Sequence, residues 1–388
     1  MKIMQLCFTK IINSAGGVEK VFCKMANYFA EQHEVINVIC DGEKGDIFYK
    51  IDKKIKMYDL ISKEIEVPFY VKIYSEAQRI FNKTLLNHPK FLAKNQFKYN
   101  YIKEKLENII KKEAPNVIIS YSPSLVILLK QVDFPLDRVV VMFHSTPILK
   151  EFSDMELTYL KKVKVIQVLT QEAKELMIKY GYNQTIVIGN ALDNNEYNVL
   201  NYNKRKKKII CVARLDRKQK QQHILIEAFS KVSPKYPDWF LEFYGGNPQP
   251  SNYNDYLVKI IKKYNMQNKI KLMGMSRDVF SDIRDASICV LPSKYEGFCI
   301  SLIEAMSLGI PCVGFKSCSA INELIKDGYN GYLANDGVNG LGNSLEKIIK
   351  DVNIRLEMSK NAIASTEEFK EEVIFEKWGK VIQIFSEG

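Results

Sequence analysis

Short apolar runs recur along the chain, each followed by a polar or glycine-containing turn and then by a stretch with apolar positions three and four apart. The first run covers residues 3–8; Ser14-Ala15-Gly16-Gly17 breaks it, a helical pattern occupies 18–30, and a second strand-like run follows at 34–40. The same alternation continues at 116–121, 138–144 and 164–170, with helical stretches between. Such a pattern predicts parallel strands whose crossover helices cover both faces of a sheet. After Asn194 the composition turns to Asn, Tyr and Lys, and the pattern restarts at 208–215 with a helix running through Phe229. Further strands are predicted at 240–244, 270–274, 287–292 and 311–315. The chain therefore reads as two doubly wound α/β domains, 1–195 and 205–369, joined near 195–205. Residues 370–385, with Trp378, form a last helical pattern with no strand after it, and this helix is expected to pack back toward the first domain.

Composition supports this division. A chain of 388 residues, 46% of them hydrophobic, is long enough for two domains with separate cores. Its eight cysteines include no Cys-x-x-Cys pair and no spacing suited to a metal, and no Asp-x-Asp pair is present to carry one. Cys7, Cys211, Cys289 and Cys312 fall in strand-like apolar runs, as reduced, buried thiols of a cytosolic protein would. Lys10 interrupts the first apolar stretch too early for a signal peptide, and no run reaches the roughly 18 apolar residues of a spanning helix. A cytoplasmic protein, peripheral at most to a membrane, is the expectation.

The net charge of +11 is unevenly spread. Residues 70–112 carry about +7, interleaved with Phe81, Leu85, Leu86, Phe91, Leu92, Phe97, Tyr99, Tyr101 and Ile102. Basic and apolar residues mixed at helical spacing suit an anionic bilayer surface. The plainer alternative is the solvated faces of two ordinary helices. A second cluster, residues 204–208, reads as a solvated lead-in to the following strand rather than a nucleic-acid site, because no recognition motif accompanies it.

Three places carry candidate chemistry. Gly16 and Gly17 open the first helix, where bare backbone can approach an anion; the turn lacks the Gly-x-Gly-x-x-Gly dinucleotide fingerprint, although Asp41 ends the second strand as a ribose-binding acid would. Ala213-Arg214-Leu215 ends a strand and is followed by Lys218 and Lys220, cations suited to a pyrophosphate. In 294–315, the strand to Leu291 leads through Tyr295-Glu296-Gly297-Phe298 into a helix starting near Ile300. The amides of Phe298, Cys299 and Ile300 are expected to be unpaired at that helix start, with Glu296 just outside and Glu304 about one turn inside. Glu304 lies between Ile303 and Ala305, so burial with partners is expected.

Glu296 and Glu304, set in Glu-Gly-Phe and Leu-Ile-Glu-Ala-Met-Ser-Leu-Gly-Ile-Pro-Cys-Val, resemble the Glu-x7-Glu signature of retaining, nucleotide-sugar-dependent glycosyltransferases of family 4. The Gly-Gly-x-Glu turn at 16–19 is similar too, as are Ala-Arg-Leu and Leu-Ile-Glu-Ala-Phe on either side of Lys220. The resemblance implies the GT-B fold, two Rossmann-like doubly wound domains facing across a cleft, the first for the acceptor and the second for the donor. It implies that Arg214 and Lys220 clamp the donor diphosphate, that Glu304 binds the ribose, and that Glu296 with the backbone of Gly297, Phe298, Cys299 and Ile300 holds sugar and phosphate. Met273, Gly274 and Met275 would line the base pocket, Gly16 and Gly17 would touch the donor from the other domain, and His144 would stand near the reacting sugar. Arg214 and Lys220 are one position further apart than the family pattern, so Lys218 is an alternative to Lys220.

The implied activity is metal-independent, cofactor-free transfer of a hexose or N-acetylhexosamine from a UDP-linked or related donor to a glycan or lipid-linked glycan, as in polysaccharide, capsule or lipopolysaccharide biosynthesis. Fixed cations aimed at the departing diphosphate lower the barrier. Competing readings are a hydrolase or epimerase of the same fold, a non-catalytic nucleotide-sugar-binding protein, and a dinucleotide oxidoreductase resting on Asp41.

Overall fold

The computed structural model describes residues 1–14, 16–63, 65–85, 92–193, 201–246, 252–276 and 278–386. The chain divides into two units, one formed by Met1–Asn190 with Ile374–Gly388 and the other by Ala191–Val373.

The first unit is built on a seven-stranded parallel sheet: β1 (Lys2–Cys7), β2 (Glu34–Ile39), β3 (Lys56–Asp59), β4 (Val117–Ser120), β5 (Val139–Met142), β6 (Val165–Val168) and β7 (Thr185–Val187), in spatial order 3-2-1-4-5-6-7. The second holds six parallel strands, β8 (Lys208–Val212), β9 (Phe240–Tyr244), β10 (Ile270–Gly274), β11 (Ile288–Leu291), β12 (Cys312–Phe315) and β13 (Gly331–Ala334), in order 10-9-8-11-12-13. Inner strands such as Val-Ile-Ile-Ser of β4, Val-Val-Val-Met of β5 and Ile-Cys-Val-Leu of β11 are buried at every position, because helices cover both faces. β-branched side chains fill such strands well, and each fully buried one contributes roughly 1.5–3 kcal/mol.

Each sheet winds outward in both directions from a central pair. In the first unit the order reverses between β1 and β4, and in the second between β8 and β11. β8 and β11 pair in register at Ile209↔Ile288 and Ile210↔Cys289, so the loops leaving their carboxyl ends diverge from one spot. Crevices at such reversals are where doubly wound sheets take up ligands.

Three strands, β3, β7 and β13, have no counterpart in the sequence pattern. All three are sheet edges. β3 is half exposed, β7 has only three residues, and β13 begins with glycine, so none shows a continuous apolar run.

The basic stretch 70–112 forms helices Phe69–Leu85 and Ala93–Glu113; Leu86 and Phe91 lie outside the described residues. Its apolar side chains do not share one surface. Tyr99 and Ile102 belong to the core of the first unit together with Leu106 and Ile109, which corrects the placing of Tyr99 and Ile102 in a membrane-facing set, whereas Phe69, Tyr70, Ile73, Tyr74, Ile80 and Tyr101 are exposed. No helix among the described residues is long and apolar enough to cross a membrane.

The last helix, Glu371–Gln383, buries Ile374, Phe375, Trp378, Val381 and Ile382, an i, i+1, i+4, i+7, i+8 stripe. Phe375 stacks on Tyr28 of the first unit with ring centroids 4.3 Å apart and planes 8° off parallel.

Candidate active site

The loop leaving β8 is organised by two side chains that face inward. Gln222 is fully buried; its amide donates to the Arg214 carbonyl at 2.8 Å and accepts the Asp216 N–H at 3.3 Å. Asp216 in turn accepts the N–H groups of Lys218 (2.9 Å) and Gln219 (2.8 Å) on its carboxylate and those of Lys220 (3.1 Å) and Gln221 (2.9 Å) on its carbonyl. An Asp that bonds amides two and three residues on makes a tight turn. The turn closes with Gln221 in a left-handed conformation (φ 49°) as the helix Gln222–Val232 begins.

This turn sets the direction of its cations. Lys220 reaches back into the protein and contacts Glu296 Oε1 at 2.5 Å, both side chains being largely buried. Lys218 stays exposed, so of the two lysines it is Lys220 that joins the Glu296 turn. The Arg214 guanidinium is about half exposed; it donates to Gln219 Oε1 and lies 3.5 Å from Asp216 Oδ2. Arg217 is drawn the other way, over the Tyr256 ring at 4.5 Å.

The loop leaving β11 meets this turn directly. Lys294 N–H donates to the Gln219 carbonyl at 2.8 Å, and Gln219 Nε2 donates to the Tyr295 carbonyl at 3.1 Å. Glu296 follows, buried, and then the helix Ile300–Ser307 starts with Cys299 at its N-cap. Glu304 sits in this helix, also buried, and its carbonyl accepts from Ser307 Oγ at 2.8 Å. The expectation of three unpaired amides needs correction at Ile300, whose N–H donates to the Phe298 carbonyl at 3.0 Å in a tight turn before the helix. Gly297 and Phe298 are half-buried, and the Phe298 ring packs edge-on against Phe369 at 5.6 Å.

Thiols floor this region. Burial raises the Cys299 thiol well above its ordinary pKa, with the Glu296 charge adding to the shift. Burial likewise pushes Cys318 up to about 11, partly offset by backbone amides of Ile321 and Glu296 directed at it. All eight cysteines are free, and these remain neutral thiols beneath the charged pair.

At the ends of β9 and β10 the backbone itself comes close. Gly245 (φ 142°) donates to the Gly274 carbonyl at 2.8 Å, and a Cβ on it would fall 2.0 Å from the Ala213 carbonyl oxygen, which no side chain tolerates. The Leu215 N–H donates to the Gly246 carbonyl at 2.9 Å, so the Arg214 segment is held in line with the two strands beside it. Gly274 is left-handed (φ 76°) with open space around its missing Cβ. Met273 is exposed, and Met275, 82% exposed, lies against Gly246.

The remaining candidates stand in the first unit. Gly16 caps the helix Gly17–Phe29, and a Cβ there would meet Glu19 Oε2 at 2.4 Å, because the Glu19 side chain folds back to accept from Ser14 Oγ at 2.5 Å. Gly17 is exposed. Asp41 accepts the N–H groups of Ile11 (2.6 Å) and Ile12 (2.7 Å), so this carboxylate fastens the loop after β1. Both bonds fall on Oδ2, so the residue on which the oxidoreductase reading rests is already engaged by the backbone. His144 lies two residues beyond β5 and stacks on Tyr121 at 5.4 Å, while the Tyr121 hydroxyl donates to Gln5 Oε1 at 2.5 Å. Its Nε2 is enclosed with no hydrogen-bond partner among the described residues, and burial lowers its pKa to about 4, which leaves the ring neutral near pH 7.

The structure thus brings Arg214, Lys220 and Glu296 to one place in the second unit, and sets Gly274 and Met275 beside the backbone that carries Arg214. Three residues that shape this place escape a motif reading: Asp216, Gln219 and Gln222. Asp216 has the turn-forming residue type, but the two glutamines sit in Lys-Gln-Lys-Gln-Gln, which looks like an ordinary solvated stretch.

Comparison with known proteins supplies the remaining information. Residues 193–365 match the family described as glycosyl transferases group 1. An uncharacterized glycosyltransferase of Haemophilus influenzae is 24% identical over 97% of this chain and 98% of its own length. The amylovoran biosynthesis glycosyltransferase AmsD of Erwinia amylovora is 24% identical over 56% of this chain and 61% of its own length. Among solved structures, Anabaena HepE in complex with UDP and glucose superposes with a TM-score of 0.73 at 17% identity, covering 99% of both chains. That last likeness is one of fold, and the class is GT-B.

Proposed function

We propose that this protein, whose residues 193–365 match the group 1 glycosyl transferases, moves a hexose or N-acetylhexosamine from a UDP-linked sugar to a glycan hydroxyl with retention of configuration and without a metal. The observation that carries this reading is the buried Lys220–Glu296 pair beside Arg214, at the point where the second sheet reverses direction. Departure of a nucleoside diphosphate concentrates negative charge on phosphate oxygens while the sugar carbon becomes positive. Arg214 and Lys220 are held where they can meet that charge without moving far, which is how preorganised donors lower a barrier. Glu296 both steadies Lys220 and offers a carboxylate to sugar hydroxyls, together with the backbone of 297–300. Glu304 takes the ribose, and Met273, Gly274 and Met275 take the base. Only one carboxylate is assigned to the anomeric carbon, so attack by the acceptor on the face the diphosphate leaves, with that phosphate accepting the proton, fits better than a covalent glycosyl-enzyme.

HepE with bound UDP and glucose supports the donor class, and AmsD, named for amylovoran biosynthesis, supports a polysaccharide product. The acceptor in this reading is a lipid-linked glycan at the cytoplasmic face of the membrane. Helix Phe69–Leu85 favours that, with Phe69 (78% exposed), Tyr70, Ile73 and Tyr74 outermost and Lys72 and Arg79 among them. Flotation with anionic vesicles should recover the protein, and recovery equal to that with neutral vesicles would remove the membrane part.

The test of the reading is a thermal-shift screen of nucleotide sugars, run with and without a chelator. A donor at 100 times its dissociation constant stabilises by about 2.7 kcal/mol. The expected hit is a UDP-sugar, undiminished by chelation; no response to any nucleotide sugar would contradict the reading.

A further inference from the structure

One residue ties the exposed cation of the site to the turn that carries Glu296. Gln219 accepts from Arg214 with its side-chain oxygen, donates to the Tyr295 carbonyl with its side-chain nitrogen at 3.1 Å, and accepts the Lys294 N–H on its own carbonyl at 2.8 Å. The next residue, Lys220, bonds Glu296. The loops after β8 and β11 are therefore joined through two adjacent residues, 219 and 220, on one side and three, 294 to 296, on the other. The guanidinium's other polar neighbour among the described residues, Asp216 at 3.5 Å, belongs to the same loop and cannot register it against the neighbouring one. A half-exposed arginine keeps much of its rotamer entropy, and a ligand that must order it binds more weakly than one that finds it ordered.

Chemistry favours an amide at 219. A neutral group can hold the guanidinium from one end and a carbonyl from the other while leaving the full positive charge for an incoming anion. A carboxylate there would form an ion pair with Arg214 and compete with phosphate, and it would turn an acceptor toward the Tyr295 carbonyl.

We propose that Gln219 is a positioning residue that fixes the Arg214 guanidinium in register with the Glu296 turn, so that a nucleoside diphosphate meets a preset cation. The inference rests on the donor reading given under Proposed function.

Calorimetric titration of UDP or GDP into the full chain tests it, with wild type, Gln219→Ala, Gln219→Glu, Arg214→Ala and the Gln219→Ala/Arg214→Ala pair, alongside KM and kcat for the donor sugar. Gln219→Ala should weaken the nucleotide roughly three- to tenfold, the loss expected when one long side chain must be ordered on binding. Gln219→Glu should weaken it at least as much. In the Arg214→Ala background the Gln219→Ala effect should largely vanish, since the residue acts through the guanidinium. A merely structural residue would give the same loss in both backgrounds, and that result overturns the inference, as does nucleotide binding to Gln219→Ala equal to or tighter than wild type. Melting without nucleotide confirms that each variant folds, and Gln219→Glu carries the test should the alanine variant not fold. If wild type binds neither nucleotide, the donor reading fails and this inference with it; if wild type binds and the variants match it, only the inference fails.

Discussion

Both units wind their sheets outward from a central strand pair, β1 with β4 in the first and β8 with β11 in the second, yet the loops beyond these pairs are made of different chemistry. Beyond β8 and β11 the side chains are charged and bonded to one another: Lys220 to Glu296, and Arg214 to Gln219 near Asp216. Beyond β1, β2, β4 and β5 the carboxylates are turned inward, Asp41 to the amides of Ile11 and Ile12 and Glu19 to Ser14, while Tyr121 and the neutral His144 stack face to face. Topology gives each sheet a crevice at its reversal point, and residue type decides what that crevice accepts. Fixed cations suit an anion such as a diphosphate.

The contrast can be broken most severely at Lys220. Lys220→Met removes the cation bonded to Glu296 and leaves that buried carboxylate with its strongest partner gone, a change expected to cost about 3–5 kcal/mol of stability. Urea denaturation measures it, and a loss below about 1 kcal/mol would mean that the pair is not buried in solution. Restoring Glu296→Gln in the same chain should recover part of the loss, because an uncharged amide needs no counter-ion.

Arg214 is the opposite case, a cation held ready but half exposed. Arg214→Ala should leave stability nearly unchanged and lower turnover by on the order of 10², as removal of a preorganised charge-stabilising donor does. Steady-state kinetics with the donor found in the screen gives the number. A variant with normal turnover would take the phosphate clamp out of the account.

A third and smaller effect sharpens the description of the first unit. Burial lowers His144 from 6.5 to about 4, so the folded protein binds its proton less readily than the unfolded chain. The stability this group contributes is fully present above about pH 6.5 and is lost as pH falls from there toward 4, by at most about 1.4 kcal/mol per pH unit. His144→Asn lacks this term, so the difference in denaturation midpoint between wild type and variant should shrink between pH 7 and pH 4. A constant difference across that window would show that the ring titrates in the folded protein as it does in water.

Much of this architecture is legible in the sequence because the inner strands are buried on both faces. Val-Ile-Ile in β4 and Ile-Cys-Val-Leu in β11 are continuous apolar runs and announce themselves. β3, β7 and β13 escape notice since an edge strand needs apolar residues on fewer sides, and Lys-Met-Tyr-Asp or Gly-Tyr-Leu-Ala does not look like a strand in isolation. The site shows the same division. Arg214, Lys220 and Glu296 stand out by charge next to glycine and strand ends, whereas Gln219 and Gln222 act by hydrogen bonds to backbone groups 6 to 76 positions away, which periodicity does not encode. Asp41 is the instructive case: a carboxylate at a strand end has the right place for a ribose, but two backbone amides of the loop after β1 already occupy it.

Hydrogen exchange of the full chain with and without UDP addresses the account most directly, since it reads the backbone of both units in one experiment. Slowed exchange of amides in 213–222, 273–275 and 293–304, with little change elsewhere in the second unit, is the predicted result. Bound UDP that leaves those three segments unprotected while slowing amides in other parts of the chain would contradict it.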